Sequence, residues 1–143
     1  MAALAADLGV LRTTEDVSAG MLRYIELKTG HDDNGPAWIA RVKLSKSKRT
    51  VYFNGRALHQ GARGCYFDLV SHEEYWISGV KKDGTDRHWA GGGVVLIEAS
   101  AVPEYLRVVG KAQLDTTRLR VIPDVPETNP AQFVALENAK LND

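Results

Sequence analysis

The residues best placed to do chemistry are basic. Residues 41–63 hold Arg41, Lys43, Lys46, Lys48, Arg49, Arg56 and Arg63, without one Asp or Glu. In a chain whose 18 Lys+Arg balance 18 Asp+Glu, this is a local asymmetry rather than a global charge. Lys46, Lys48 and Arg49 sit where a hairpin would turn. There they would aim positive charge at phosphates or at an acidic protein, or else discourage edge pairing as a solvated tip. A second stretch, Lys81-Lys82-Asp83-Gly84-Thr85-Asp86-Arg87-His88-Trp89, interleaves bases with aromatics near Trp76. Small β-domains use such a mix to stack bases or grip peptides, although Asp83 and Asp86 dilute its charge and tryptophans often serve as core.

Catalytic chemistry finds little support. His31, His59, His72 and His88 are scattered, with no His pair at helix-face spacing to hold a metal. Cys65, between Gly64 and Tyr66-Phe67, reads as a small buried hydrophobe rather than a nucleophile. Asp32-Asp33-Asn34-Gly35 is too short for a twelve-residue calcium loop. No catalytic residue, metal or cofactor is therefore expected.

The elements that must position these residues are mainly strands. In residues 38–44, Trp38, Ala40, Val42 and Leu44 alternate with Ile39, Arg41 and Lys43, the period of a strand with one buried face. Residues 21–28 alternate similarly. Residues 50–53, 65–70, 74–80 and 94–98 are rich in the β-branched and aromatic side chains that pleated surfaces favour. Asp83-Gly84 reads as a two-residue hairpin turn, and Asn54-Gly55 as either a second one or a bulge. Helices are expected at residues 100–109, ending at Gly110, and at 131–141 behind an Asn129-Pro130 cap. In the second, Phe133, Leu136, Lys140 and Leu141 would share one face. Residues 118–121 can add a strand, confined to an edge by Pro123 and Pro126.

These elements predict a mainly β fold: a small SH3-like barrel or strongly bent antiparallel sheet with a short helix, plus a C-terminal helix. The alternative is an α+β half-barrel covered by the tail helix. Three zones follow: an extension over 1–20, helical or disordered; the barrel-like domain over 21–110; and a Pro-containing tail over 111–143 that carries acidic Asp124, Glu127, Glu137 and Asp143. The chain of 143 residues is long enough to bury a core without staples, and its single cysteine forms no internal disulfide. With no apolar run near the ~20 residues of a membrane span and no signal-like start, a cytoplasmic location is expected.

The runs YIELK (24–28), GPAWI (35–39), TVYFNG (50–55), EYWISGVKK (74–82) and DGTDRHWAG (83–91) carry a resemblance. On them, with residues 102–106 as a closing helix, the chain resembles a family of small uncharacterised bacterial proteins over somewhat more than half its length. Some members are labelled deoxyxylulose phosphate synthase. This chain is far shorter than a thiamine-diphosphate enzyme requires, and it has no Gly-Asp-Gly run with a downstream Asn for a magnesium pyrophosphate. The resemblance thus implies a family without an activity.

The expected function is a non-enzymatic binding domain for a protein or peptide. Its basic, aromatic β-surface would draw on Arg41, Lys43, Lys46, Lys48, Arg49, Lys81, Lys82, Arg87, His88 and Trp89. RNA or single-stranded DNA binding through the same surface is the alternative, and a small enzyme with an unassembled site the remote one. The sequence leaves the oligomeric state open.

Overall fold

A computed structural model describes residues 20–32, 34–87 and 93–141. The alternating runs become β1 (Met21–Leu27), β2 (Ala37–Leu44), β3 (Thr50–Phe53), β4 (Arg56–Gln60), β5 (Cys65–Asp68) and β6 (Glu74–Ser78). Each pairs antiparallel with the next, and β6 returns to β1, so the six close into the expected small barrel. Closure removes the edges on which a flat sheet would aggregate. Its interior is built from one parity of each strand: Ile25, Ala40, Val42, Val51, Phe53, Leu58 and Tyr75. Full burial of an aliphatic or aromatic side chain of this kind contributes about 1.5–3 kcal/mol. Trp38 belongs to this interior, its ring edge-on to Phe53 with centroids 5.4 Å apart.

Asn54-Gly55 is a true two-residue turn. Both residues have positive φ (54° and 72°), and Phe53 pairs directly with Arg56 across it. The expected hairpin at Asp83-Gly84 does not form among the described residues. Gly84 closes a turn on Lys81, but no strand follows through Thr85–Arg87; the next is β7 (Val95–Glu98), parallel to β2. The side chains explain this. Asp86 accepts the Lys81 N–H at 2.6 Å and Arg87 donates to the Gly35 carbonyl at 2.7 Å, which carries the segment across the outside of the barrel instead of back along β6.

The outer parity of β1 and β2 is not the solvent face that Arg41 and Lys43 suggest. Leu22, Tyr24 and Ile39 are buried there under β7, under helix α1 (Val102–Val109) and under the edge strand β8 (Leu119–Ile122), which runs parallel to β7. The sheet forks where β2 meets both β3 and β7. At that fork Glu98 is buried, one carboxylate oxygen accepting the Arg41 N–H at 3.1 Å and the other the Val125 N–H at 2.7 Å. Burial pushes its carboxyl upward against those two donors.

Two expectations about the helices need correction. α1 starts at Val102 behind a single 3-10 turn (Ala99–Ala101) rather than at residue 100, and no side chain caps it, although Gly110 ends it as expected. The Asn129 side chain does accept the Ala131 N–H at 3.1 Å and leads through a 3-10 turn into α2 (Val134–Leu141). The docked face, however, is Phe133 with Glu137, while Leu136 is exposed. No helix among the described residues is long and apolar enough to cross a membrane.

One ion pair stiffens the barrel end. Asp68 accepts from Arg56 at 2.6 Å and from the N–H groups of Val70 and Ser71, which holds the β5–β6 turn. Burial alone would raise the Asp68 carboxyl, but these donors outweigh it and the net shift is downward. A depressed pKa gives stability above the ordinary carboxylate range that is lost as pH falls through the folded value. Asp68→Asn keeps an oxygen for the turn but loses the charge, and should cost about 1.5–3 kcal/mol. Urea unfolding at neutral pH and in acid checks this: the difference between wild type and variant should shrink in acid.

Candidate partner-binding face

On the opposite side of the barrel, the outer parity of β3 to β6 is covered only in part. Strand register sets its rows. Thr50 lies opposite His59, His59 opposite Phe67, and Phe67 opposite Glu74. In the next row Cys65 lies opposite Trp76, and Trp76 opposite Glu26. Phe67 and Trp76 therefore stand on one face of adjacent strands. They are the two aromatics among the exposed large hydrophobics of the described residues, left 39% and 41% exposed on neighbouring strands.

The Phe67 ring is firmly seated. Gly61 has no side chain because Phe67 occupies its place: an added Cβ would sit 2.6 Å from the ring. Its N–H bonds to the Cys65 carbonyl, which fixes the β4–β5 corner beneath the ring. The Cys65 thiol is half-buried beside Trp76 rather than a core residue. Its hydrogen bond to Glu74, and then burial, raise its pKa, so it stays a protonated thiol and a poor nucleophile.

The basic hairpin adjoins this face. Residues 45–49 link β2 to β3, with Lys48 in the left-handed region (φ 64°) and Ser45 and Ser47 tying the turn together. The Arg49 carbonyl takes the Gln60 N–H at 2.7 Å, so the tip lies against the same corner that carries Phe67. Lys46, Lys48 and Arg49 are exposed and make no ion pair among the described residues. His59 bonds through Nδ1 to Thr50 Oγ1 at 3.0 Å. Its pKa is lowered by burial and then by Lys140, with Arg49 contributing, so the imidazole is neutral at neutral pH.

The other residues named from the sequence lie elsewhere. Arg41 pairs with Glu104 at 3.0 Å and Lys43 with Glu127 at 3.4 Å. Lys81 and Lys82 are exposed on the connection that crosses the far side of the barrel. Arg87 is buried there, bonded to Gly35 and 3.8 Å from Glu26, which also takes the Tyr24 hydroxyl at 2.6 Å. His88 and Trp89 fall outside the described residues, as does the 1–19 part of the N-terminal extension. Phe67 was not among the residues picked from the sequence; a pattern that marked Tyr66 as inward-facing would have marked it as outward.

The tail borders the face from its other side. Phe133 is buried with Tyr52, Ala57 and Leu69, and Glu137 accepts from the Tyr52 hydroxyl at 3.0 and 2.8 Å. Burial and then that carboxylate push the Tyr52 phenol up to about 12. Comparison of the chain with protein-family models, with curated proteins and with solved structures returns no match.

Proposed function

We propose that this chain is a non-enzymatic interaction domain that binds a protein or peptide partner through the outer face of β4 to β6. Phe67 and Trp76 are its apolar anchors, and Lys46, Lys48 and Arg49 its charged flank. The observation that carries the reading is this juxtaposition: two exposed aromatics, Phe67 firmly seated against Gly61, beside a tip whose cations make no ion pair among the described residues. Rigid aromatic anchors ringed by polar groups are what interface hot spots are made of. The partner implied is an acidic segment carrying one or two large apolar side chains. Lys81, Lys82 and Arg87 have no part in this surface.

Glu74 favours a peptide over a nucleic acid. It stands directly opposite Phe67, so a strand stacked on the rings would carry a phosphate past this carboxylate at every nucleotide. A peptide can instead confine its acidic residues to the Lys46, Lys48 and Arg49 tip and set an apolar residue over the rings. Panning against an arrayed library of random peptides, with an oligothymidylate as control, tests the reading. Acidic sequences with aromatic or aliphatic anchors should be enriched. Exclusive retention of the oligonucleotide would transfer the surface to single-stranded nucleic acid.

Replacing Lys46, Lys48 and Arg49 together by Ser should change stability by no more than about 0.5 kcal/mol, since the tip is solvated. Binding of an enriched acidic peptide should slow in association more than it speeds in dissociation. Stopped-flow kinetics over a salt series measures both. Unchanged association would remove the tip from the site.

A further inference from the structure

The binding face continues past its exposed aromatics. A second row lies two residues along each strand: Tyr52 stands opposite Ala57, and the Leu69 N–H donates to the Ala57 carbonyl at 2.9 Å. Alternation along a strand puts Tyr52 on the side of Thr50, Ala57 on that of His59 and Leu69 on that of Phe67. This row is apolar apart from the Tyr52 hydroxyl, and Phe133 covers it. One row of the face is open; the chain's own tail occupies the other.

The tail is held there by little. Of residues 129–140, Phe133 is buried, Glu137 is half-buried and the others are exposed. None of them belongs to the barrel interior, which closes through its own strands. The tether before them is fixed separately: the Thr128 hydroxyl donates to the Arg56 carbonyl at 3.0 Å, and Glu98 holds the Val125 N–H. Opening at residue 129 therefore breaks the contacts of one ring and one carboxylate and spares barrel and tether, the pattern of a segment that opens on its own. Opening would bare Tyr52, Ala57 and Leu69 beside Phe67, a continuous apolar patch of the kind that marks an interaction site.

The docked pair has the form of a recognition motif. Phe133 and Glu137 stand four residues apart where a 3-10 turn runs into α2, so ring and carboxylate project from one side of the segment. The row answers with an apolar floor and a phenol that donates to the carboxylate, its oxygens 3.0 and 2.8 Å away. Lys140, further along α2, acts on His59, which stands opposite Phe67, so the helix runs towards the open row. An aromatic residue with an acid close behind it is also the chemistry expected of the partner.

We propose that the Tyr52 row is a second subsite of the binding face, for a helical segment presenting an aromatic ring and, four residues on, a carboxylate. Residues 129–141 are its resident occupant, which a partner carrying the same pair displaces. This rests on the partner-face reading in joining the two rows into one surface. A peptide held by Phe67 and Trp76 alone leaves the tail docked.

The test adds an unlabelled synthetic peptide of residues 129–143 to the isotope-labelled full chain. A free copy competes with the tethered one at the tether's effective concentration, so half-release in wild type is expected at about millimolar peptide. The labelled amides of residues 134–140 should then move to unfolded positions while those of Val51 and Leu58 stay in place. Phe133→Ala in the chain removes the competitor and should tighten peptide binding about tenfold or more. Glu137→Ala keeps the ring, should tighten binding by less, and serves if the first variant does not fold. A peptide that itself carries Phe133→Ala should not compete. Labelled tail amides unmoved at the highest soluble peptide concentration, or equal peptide affinity for wild type and a folded variant, would overturn the proposal and make the tail a fixed part of the fold. Neither readout uses Phe67 or Trp76. Tail release with no acidic peptide enriched would remove the partner face and keep the subsite, whereas enrichment with no release would remove only the displaceable tail.

Discussion

Phe133→Ala should destabilise the protein by about 3–5 kcal/mol, the range for emptying a buried aromatic site. The ring is 7% exposed and wedged among Tyr52, Ala57 and Leu69, so it is what fastens the tail to the outside of β3 and β4. The loss has a second readout. With the tail released, Glu137 no longer accepts from Tyr52, and the Tyr52 phenol should fall from about 12 towards its ordinary value. The sign of the accompanying pH dependence follows. A folded pKa above the unfolded one means the unfolded chain ionises first as pH rises, so stability declines through alkaline pH. Tyr24, Tyr75 and Tyr105, all raised chiefly by burial, add to that decline. The variant should lose the Tyr52 share. Chemical denaturation and ultraviolet titration of the phenols measure the two effects; an unchanged melting temperature with an unchanged Tyr52 titration would mean the tail does not depend on this ring.

The second large effect concerns binding. Phe67→Ser with Trp76→Ser should reduce affinity for an enriched acidic peptide by about 2–4 kcal/mol or more, as removal of central hot-spot aromatics does. Stability should change less than for a core residue, because both rings are more than one-third exposed. Calorimetric binding beside thermal melting separates the two quantities. Affinity unchanged in a folded double variant would mean that the aromatics are only surface.

Much of this architecture is legible in the residues. The alternation of Trp38, Ala40, Val42 and Leu44 assigns the barrel-facing side of β2, and Asn54-Gly55 marks a turn. What alternation cannot say is what covers the other side. Ile39 shares a face with Arg41 and Lys43, yet it is 1% exposed, because β7 and α1 lie over it. Parallel pairing of β7 and β8 was hidden too, because a four-residue strand carries no mark of its direction. Asp83-Gly84 misled because its turn is real, but the local bond from the Lys81 N–H to Asp86 and the long-range bond from Arg87 to Gly35 override the hairpin.

The candidate site was half legible. Charge alone located the tip at Lys46, Lys48 and Arg49, since a cluster without acids needs no fold to be noticed. Cys65-Tyr66-Phe67 has no polar residue to set its phase, so only the pairing of His59 with Phe67 and of Cys65 with Trp76 tells which aromatic faces outward. Arg41 and Lys43 belong to the same charge run, but Glu104 and Glu127, far away in sequence, neutralise them.

The central claim is that the anchor of this domain is the face bearing Phe67 and Trp76. Backbone amide and Trp76 indole N–H resonances, followed as an enriched acidic peptide is titrated into the full chain, test it most directly. The largest shifts should trace residues 48–50, 59–61, 65–67 and 74–76 as one continuous patch. Shifts confined to residues 81–87, with the Trp76 indole unmoved, would contradict it.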